Sequence, residues 1–358
     1  SIGSYSENSV YNDQGLRAIK SEKTKKRILN KGDITMILND KTASGNIIGR
    51  VILIEESGVY VYNQRTERIE INADEYDALF IYEMLNAPQI RDKIVKQSQG
   101  NTQIYVNWPT ISLTEYLVPE IEEQMKIGTF FHHLDNLITL HQRKHEKLHN
   151  IKKSMLEKMF PKNGVGVPEI RFKGFTDAWE QRKLGEISEF NPKAVLPDVF
   201  EYVDLESVVG TEMIAHKTTE KADAPSRAQR LAQTGDLFFQ TVRPYQKNNY
   251  LFEKLDTDYV FSTGYAQMRP KIDGYFLLSS VQTEQFVKTV LDRCTGTSYP
   301  AINSNDLAEM TVNIPVKQEE AKEIGDYFRN LDNLITLHQR ELEKLQNIKE
   351  SMLEKMFV

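Results

Sequence analysis

"LDNLITLHQR" occupies residues 134–143 and recurs unchanged at residues 331–340. Ten identical residues 197 positions apart are a duplication, and the match runs on. "FFHHLDNLITLHQRKHEKLHNIKKSMLEKMF" (130–160) and "YFRNLDNLITLHQRELEKLQNIKESMLEKMF" (327–357) agree at 24 of 31 positions. Upstream, Gly128 pairs with Gly325 at an offset of 197, and Pro119, Asn107 and Gly100 pair with Pro315, Asn303 and Gly296 at 196. Further back, Tyr62 and Gln64 pair with Tyr265 and Gln267, and Gly32-Asp33 with Gly235-Asp236, at 203. The chain reads as two copies of a unit of about 200 residues, a domain duplication rather than a solenoid.

Each repeated segment reads as one long helix, uninterrupted by Gly or Pro over 129–160 and 326–357. Apolar residues recur at about 3.5-residue spacing, which makes a coiled-coil seam. The first copy supplies Leu134, Ile138, His141, Leu148, Ile151, Met155 and Met159, and the second Leu331, Ile335, His338, Leu342, Leu345, Ile348, Met352 and Met356. His141 and His338 read as polar seam residues that set register, in preference to a metal site or pH sensor. "PKNGVGVP" (161–168) stops the first helix and reads as a linker. The bodies mix strand and helix patterns. In the second, 201–209, 236–243 and 259–270 are strand candidates and 275–294 a helix. In the first, 33–40, 49–56 and 59–71 read as strands and the region near 76–97 as a helix.

The helices are nearly identical while the bodies share only scattered residues. This pattern predicts that the helices do one job twice and the bodies do two different jobs. The second copy opens with "PEIRFKGFTDAWEQRKLGEI" (168–187), which has no counterpart before the first body. At an offset of 203 the equivalent of Pro168 would fall at 168 − 203 = −35, so the first domain is expected to be short by roughly 35 residues at its N-terminus.

A chain of 358 residues with 40% apolar content supports two folded cores. Nothing in it reads as a membrane span or a signal peptide. The single cysteine, Cys294, excludes an internal disulfide and reads as a buried cytosolic thiol. There is no phosphate-binding loop, no H-E-x-x-H and no cysteine cluster, so no metal site is expected. "EEAKE" (319–323) holds half of a nuclease signature on an acidic helical stretch, a weak basis for catalysis. The net charge of −6 argues against a uniformly basic nucleic-acid binder, yet local basic patches stand out. Residues 16–31 carry seven positive charges against Glu22 alone. A second patch lies between 217 and 250, interleaved with Tyr245, Gln246, Asn248, Asn249 and Tyr250.

With these residues in hand, the chain resembles the specificity subunit of type I restriction–modification systems. The carrying features are the repeated "LDNLITLHQR…LEKMF" helix, the "PEIRF-x-GF…W…KLGE" opening at 168–186, "APSRAQR…TGDL…VRP" at 224–244, "GYAQMRPK" (264–271) and "CTGTSYPAINSNDL" (294–307). The match runs from about Gly15 to the C-terminus.

The resemblance implies an α+β fold with internal pseudo-two-fold duplication. Two α/β target-recognition domains are separated by two long helices in an antiparallel coiled coil. The expected segments are a first recognition domain (1–118), a helical region (119–160), a linker (161–175), a second recognition domain (176–315) and a second helical region (316–358). Each domain would read half of a bipartite, asymmetric site in double-stranded DNA. Two methyltransferase subunits would dock on the helices and restriction/translocase subunits would join them, in the cytoplasm. This chain would be non-catalytic and hold no cofactor, S-adenosylmethionine, ATP and Mg²⁺ being used by its partners.

Basic and amide side chains suit phosphates and base edges. The expected DNA contacts are therefore Lys20, Lys23, Lys25, Lys26 and Lys41 in the first domain, and Lys217, Arg227, Arg230, Arg243, Gln246, Lys247 and Asn248 in the second. Gly32-Asp33 and Gly235-Asp236 read as turns into strands, and Tyr62, Gln64, Tyr265 and Gln267 as framework. The alternatives are a coiled-coil assembly scaffold without DNA binding, and a nuclease built on Glu320.

Overall fold

The structure is a computed structural model and describes residues 1–42, 44–162, 164–255, 258–296 and 298–357. It contains two compact units: Ser1–Lys144 with His338–Val358, and His145–Leu337. The units divide the chain differently from the sequence segments, because each takes part of both long helices.

In the first unit a short helix α1 (Glu22–Lys25) precedes an antiparallel sheet of β1 (Ile34–Ile37), β2 (Val51–Leu53) and β3 (Thr66–Ile69), in the order β2-β1-β3. Helices α2 (Ala78–Asn86), α3 (Pro88–Val95) and α4 (Trp108–Ile111) lead into the long α5 (Ile121–Lys158). All four residues of β1 are buried. Strand alternation explains how. Ile34 and Met36 join Phe80, Met84 and Ile90 in the core under the helices, while Ile37 packs with Ile2, Tyr5 and Ile52 on the other face. The single helix expected near 76–97 is two, because Pro88 restricts Ala87 to an extended conformation.

The second unit contains β4 (Glu180–Lys183), α6 (Leu184–Ile187), β5 (Ser188–Phe190), β6 (Val199–Val203), β7 (Val208–Val209), β8 (Glu212–Met213), β9 (Lys217–Glu220), β10 (Ala228–Leu231), β11 (Leu237–Gln240), β12 (Tyr250–Leu251), β13 (Tyr259–Ser262) and β14 (Tyr265–Pro270). After these come α7 (Gly274–Gln282), α8 (Glu284–Leu291), α9 (Ser304–Ala308), β15 (Thr311–Ile314) and α10 (Gln318–Met356). Two four-stranded sheets, β12-β11-β14-β5 and β10-β13-β6-β9, share a core. Alternation again divides β11 and β14. Leu237, Phe239, Ala266 and Met268 pack with residues of α7 and α8, and Phe238 and Tyr265 pack with Val203, Tyr259 and Phe261 of the other sheet. Phe238 and Phe261 stack at 3.7 Å. The stretch 259–270, expected as one strand, is two strands in different sheets, and the helix expected at 275–294 divides into α7 and α8.

Strand register corrects one repeat assignment. Ile34 lies opposite Ile69, and its counterpart Leu237 opposite Met268. The offset is 237 − 34 = 203 on the first strand but 268 − 69 = 199 on the second. The counterparts of Tyr265 and Gln267 are therefore Thr66 and Arg68, not Tyr62 and Gln64.

The repeated helices do equivalent work in both units. Asp77 caps α2 by accepting from Phe80 N at 2.8 Å, and Asp273 caps α7 by accepting from Phe276 N at 2.8 Å. Gly128 of α5 and Gly325 of α10 pass so close to these caps that a Cβ would collide with Asp77 and Asp273 respectively. In the first unit, Lys349 Nζ lies 2.7 Å from Asp135 and 3.1 Å from Glu83, and His141 contacts His338. Numbers rise along α5 as they fall along α10, so the helices pack antiparallel there. In the second unit Lys152 pairs with Asp332 at 2.5 Å, while Tyr275 Oη donates to Asp332 at 2.8 Å. The repeat maps one ion pair onto the other, since 135 + 197 = 332 and 152 + 197 = 349.

Each helix also ends in the other copy's core. Phe357, from the second helix, packs 5.4 Å from Phe80 and 5.9 Å from Phe131. Phe160, from the first, packs 5.5 Å from Phe276 and 5.9 Å from Phe328. Among the seam residues, Leu134, Met159, Leu331, Ile335 and Leu342 are buried, and Ile138, His141, Leu148, Ile151, Met155, His338, Leu345 and Ile348 are half-buried. Met352 and Met356 lie outside the seam. Both are exposed, and Leu353 faces the core beside Phe357. Among the described residues no helix is long and apolar enough to cross a membrane.

Candidate nucleic-acid interface

In both units the central strand runs out into a loop clipped to a second loop. In the first unit, β1 leads to Asn39, which bridges to Tyr105, and Tyr105 bridges in turn to Gln99. Asp40 N donates to Ile104 O at 2.9 Å. In the second, β11 leads to Val242, which bridges to Ala301, and Ala301 bridges to Thr295. Arg243 N donates to Pro300 O at 2.8 Å. The positions correspond through the repeat, since 40 + 203 = 243 and 104 + 196 = 300. The scaffold is shared and the side chains on it are not.

The second clip carries backbone strain. Arg243 and Lys247 adopt φ of 56° and 57°, on either side of a 3-10 turn at Pro244–Gln246. For non-glycine residues this left-handed conformation costs on the order of 1–2 kcal/mol each. Surrounding bonds hold it in place. Lys247 Nζ pairs with Glu284 at 2.8 Å, and Gln282 Nε2 donates to Lys247 O at 3.0 Å. Gln240 Nε2 donates to Gln246 Oε1 at 2.8 Å, and Gly210 N donates to Asn248 Oδ1 at 2.9 Å. The expected contacts Gln246, Lys247 and Asn248 thus all have partners within the protein. The Arg243 guanidinium instead lies over the Tyr299 ring, 5.2 Å from its centroid.

The remaining expected residues fall in two groups. Arg227 and Arg230 lie on or beside β10, at one edge of their sheet, and Lys217 opens β9 at the other edge. Lys217 and Arg227 are exposed, while Arg230 is half-buried, and burial lowers the pKa of its guanidinium. In the first unit Lys20, Lys23, Lys25, Lys26 and Lys41 are all exposed, with Lys25 paired to Glu22 at 2.5 Å. Lys20 and Lys25 help line a cavity of about 560 Å³ whose walls include Tyr5, Tyr11, Tyr60 and Tyr62. Burial pushes the Tyr5 phenol up to about 12. The small side chains of Thr35 and Thr66 also face this cavity, where the second unit has Phe238 and Tyr265.

The two Gly-Asp motifs are structural. Gly32 and Gly235 take φ of 90° and 94°, which glycine adopts without strain. The aspartates that follow are buried and paired: Asp33 with Arg68 at 2.9 Å, Asp236 with Arg269 at 2.8 Å. Glu320 is likewise an anchor. It is 1% exposed, accepts from Arg171 Nε at 2.6 Å and Nη2 at 2.8 Å, and accepts from Trp179 Nε1 at 3.3 Å. A carboxylate committed in this way is not available to hold a catalytic metal, and among the described residues no group of three or more potential ligands forms a metal site. Sequence reasoning missed Tyr299, which stands in the "CTGTSYPAINSNDL" motif but only becomes a neighbour of Arg243 through the clip.

A family model described as "Type I restriction modification DNA specificity domain" matches residues 5–150 and 176–347. The chain is 22% identical over 368 residues to the type I restriction enzyme MjaVIII specificity subunit of Methanocaldococcus jannaschii, covering 92% of this chain and 79% of that protein. Its fold is similar to the crystal structure of a type I restriction–modification S subunit from M. genitalium, with a TM-score of 0.57, 16% identity and coverage of 93% of this chain and 85% of that one.

Proposed function

The chain belongs to the type I restriction–modification DNA specificity family, and from that membership we propose that its two units each read one half of a bipartite, asymmetric DNA site while its helices hold the catalytic partners. It is a DNA specificity subunit, a component of a restriction–modification assembly that acts on DNA. The observation carrying the half-site reading is the shared clip with unlike side chains. One frame that presents different chemistry twice suits two different base sequences. Exposed Lys20, Lys23, Lys26, Lys41, Lys217 and Arg227 supply phosphate contacts.

The partners are two copies of a methyltransferase subunit, joined by restriction/translocase subunits. The repeated decapeptides support this. Leu137 and Leu140 in one copy are 45% and 45% exposed, and Leu334 and Leu337 in the other are 43% and 51% exposed. Two identical helix faces with the same exposed leucines are two equivalent sites for one partner. Catalysis, and with it S-adenosylmethionine, ATP and Mg²⁺, belongs to those partners, and the assembly works in the cytoplasm beside the genome. A helix of 38 residues is about 57 Å long, against about 34–36 Å for one turn of B-DNA, so α5 and α10 are long enough to act as a ruler.

Stoichiometry tests the docking. Leu137→Glu with Leu140→Glu, or Leu334→Glu with Leu337→Glu, is expected to reduce the copurifying methyltransferase from two copies to one by native mass spectrometry. Two copies retained in both variants would refute it.

A further inference from the structure

The two clips place opposite chemistry at corresponding positions. In the first unit the clip residue is Asp40, and its carboxylate is used internally. Oδ1 accepts from Thr42 N and Oγ1, each at 2.9 Å, and Oδ2 accepts from Ile47 N at 3.3 Å. Across the clip stands Gln103, exposed and polar. In the second unit Arg243 replaces Asp40, and Tyr299 replaces Gln103, since 103 + 196 = 299. Tyr299 is 66% exposed, and Tyr245, two residues beyond Arg243, is 49% exposed. Among the described residues the Arg243 guanidinium has no ion pair and no side-chain hydrogen bond. Its contact is the Tyr299 ring.

An aromatic ring left two-thirds in water, stacked on an unpaired cation and seated on a strained loop, is an unusual surface for a folded protein. Duplex DNA satisfies each of its parts. The guanidinium matches a guanine edge or a phosphate, and the ring offers an apolar contact to a thymine methyl in the major groove. The backbone strain at Arg243 and Lys247 is of the kind that persists where a site must hold one geometry. We propose that Tyr299, oriented by Arg243, is a base-contacting residue of the second unit, so that this unit reads its half-site partly through an aromatic contact. At the corresponding positions the first unit carries the polar, exposed Gln103 and Lys41, and the aromatic of its clip, Tyr105, is engaged instead in donating its hydroxyl to Gln99 Oε1 at 3.2 Å. This inference rests on the DNA-reading function proposed above.

The test uses the full chain assembled with its methyltransferase. The wild-type assembly defines the two-part motif by mapping of methylated bases, and binding is then measured on duplexes altered in one half at a time. Tyr299→Ala is expected to lose about ten-fold of the discrimination against altered bases in one half only. The other half and the salt slope of binding should be unchanged, because no phosphate contact is removed. Tyr299→Phe, which keeps the ring, is expected to retain the wild-type preference, and equal melting temperatures establish that both variants are folded. Discrimination by Tyr299→Ala equal to wild type at every position, or lost equally in both halves, would overturn the assignment. A wild-type assembly that methylates without a two-part motif would instead remove the DNA-reading function, and this inference with it.

Discussion

The Nδ1 atoms of His141 and His338 lie 3.1 Å apart, and each residue is the other's repeat equivalent, since 141 + 197 = 338. The contact maps onto itself under the duplication, which makes it isologous. Its chemistry cannot be symmetric. One imidazole donates to the other, with the roles set by their tautomers, and on the same two helices within the first unit Leu134 and Leu342 are buried and Ile138 is half-buried.

A polar pair in an apolar seam fixes register at some cost in stability. The double variant His141→Leu with His338→Leu is expected to melt at a higher temperature and to form additional oligomers in light scattering. A lower melting temperature with an unchanged single species would show that the pair contributes stability rather than register.

Phe357, one residue from the C-terminus, is 5% exposed and lies in the core of the N-terminal unit. Phe357→Ala is expected to destabilise the first unit by roughly 3–5 kcal/mol, and hydrogen exchange should quicken in β1 and α2 but not in β11 and α7. Phe160→Ala should do the reverse. Protection lost equally from both units in each variant would contradict this division of the cores.

How much of this was legible in the sequence follows from what each residue's partner depends on. The long helices were legible because their apolar spacing is local and repeated. Gly32 and Gly235 were legible as turns for the same reason. The destinations of Phe160 and Phe357 were not. A helix's own periodicity marks a buried face, yet which core receives its end depends on antiparallel packing. Glu320 was legible only as part of a short motif, because its partners Arg171 and Trp179 are 149 and 141 residues away in sequence. Of the proposed DNA contacts, the basic residues stood out by composition. Tyr299 did not, since it meets Arg243 only through the clip, and Lys247 gave no sign that Glu284 would pair with it.

Glu83 gives the first unit a pH dependence. Burial holds its carboxyl well above the ordinary range, up to about 8, with Asp135 adding to the shift and Lys349 opposing it. The unfolded value is near 4.3, so the folded state binds this proton more tightly. The contribution is fully present below about pH 4 and is lost as pH rises through about 8. Thermal melts from pH 5 to 9 should show the first unit losing stability toward the alkaline end, and Glu83→Gln should flatten that slope. A slope unchanged by the substitution would place its origin elsewhere.

The central claim is that the two units read separate halves of one DNA site. The most direct measurement is to exchange residues 176–315 for the corresponding domain of another specificity subunit and to map methylated bases in a host that supplies the methyltransferase. The account predicts a two-part motif in which one half changes to the donor's, the other half is retained and the gap between them is unchanged. A motif with both halves unaltered, or both altered together, would contradict it.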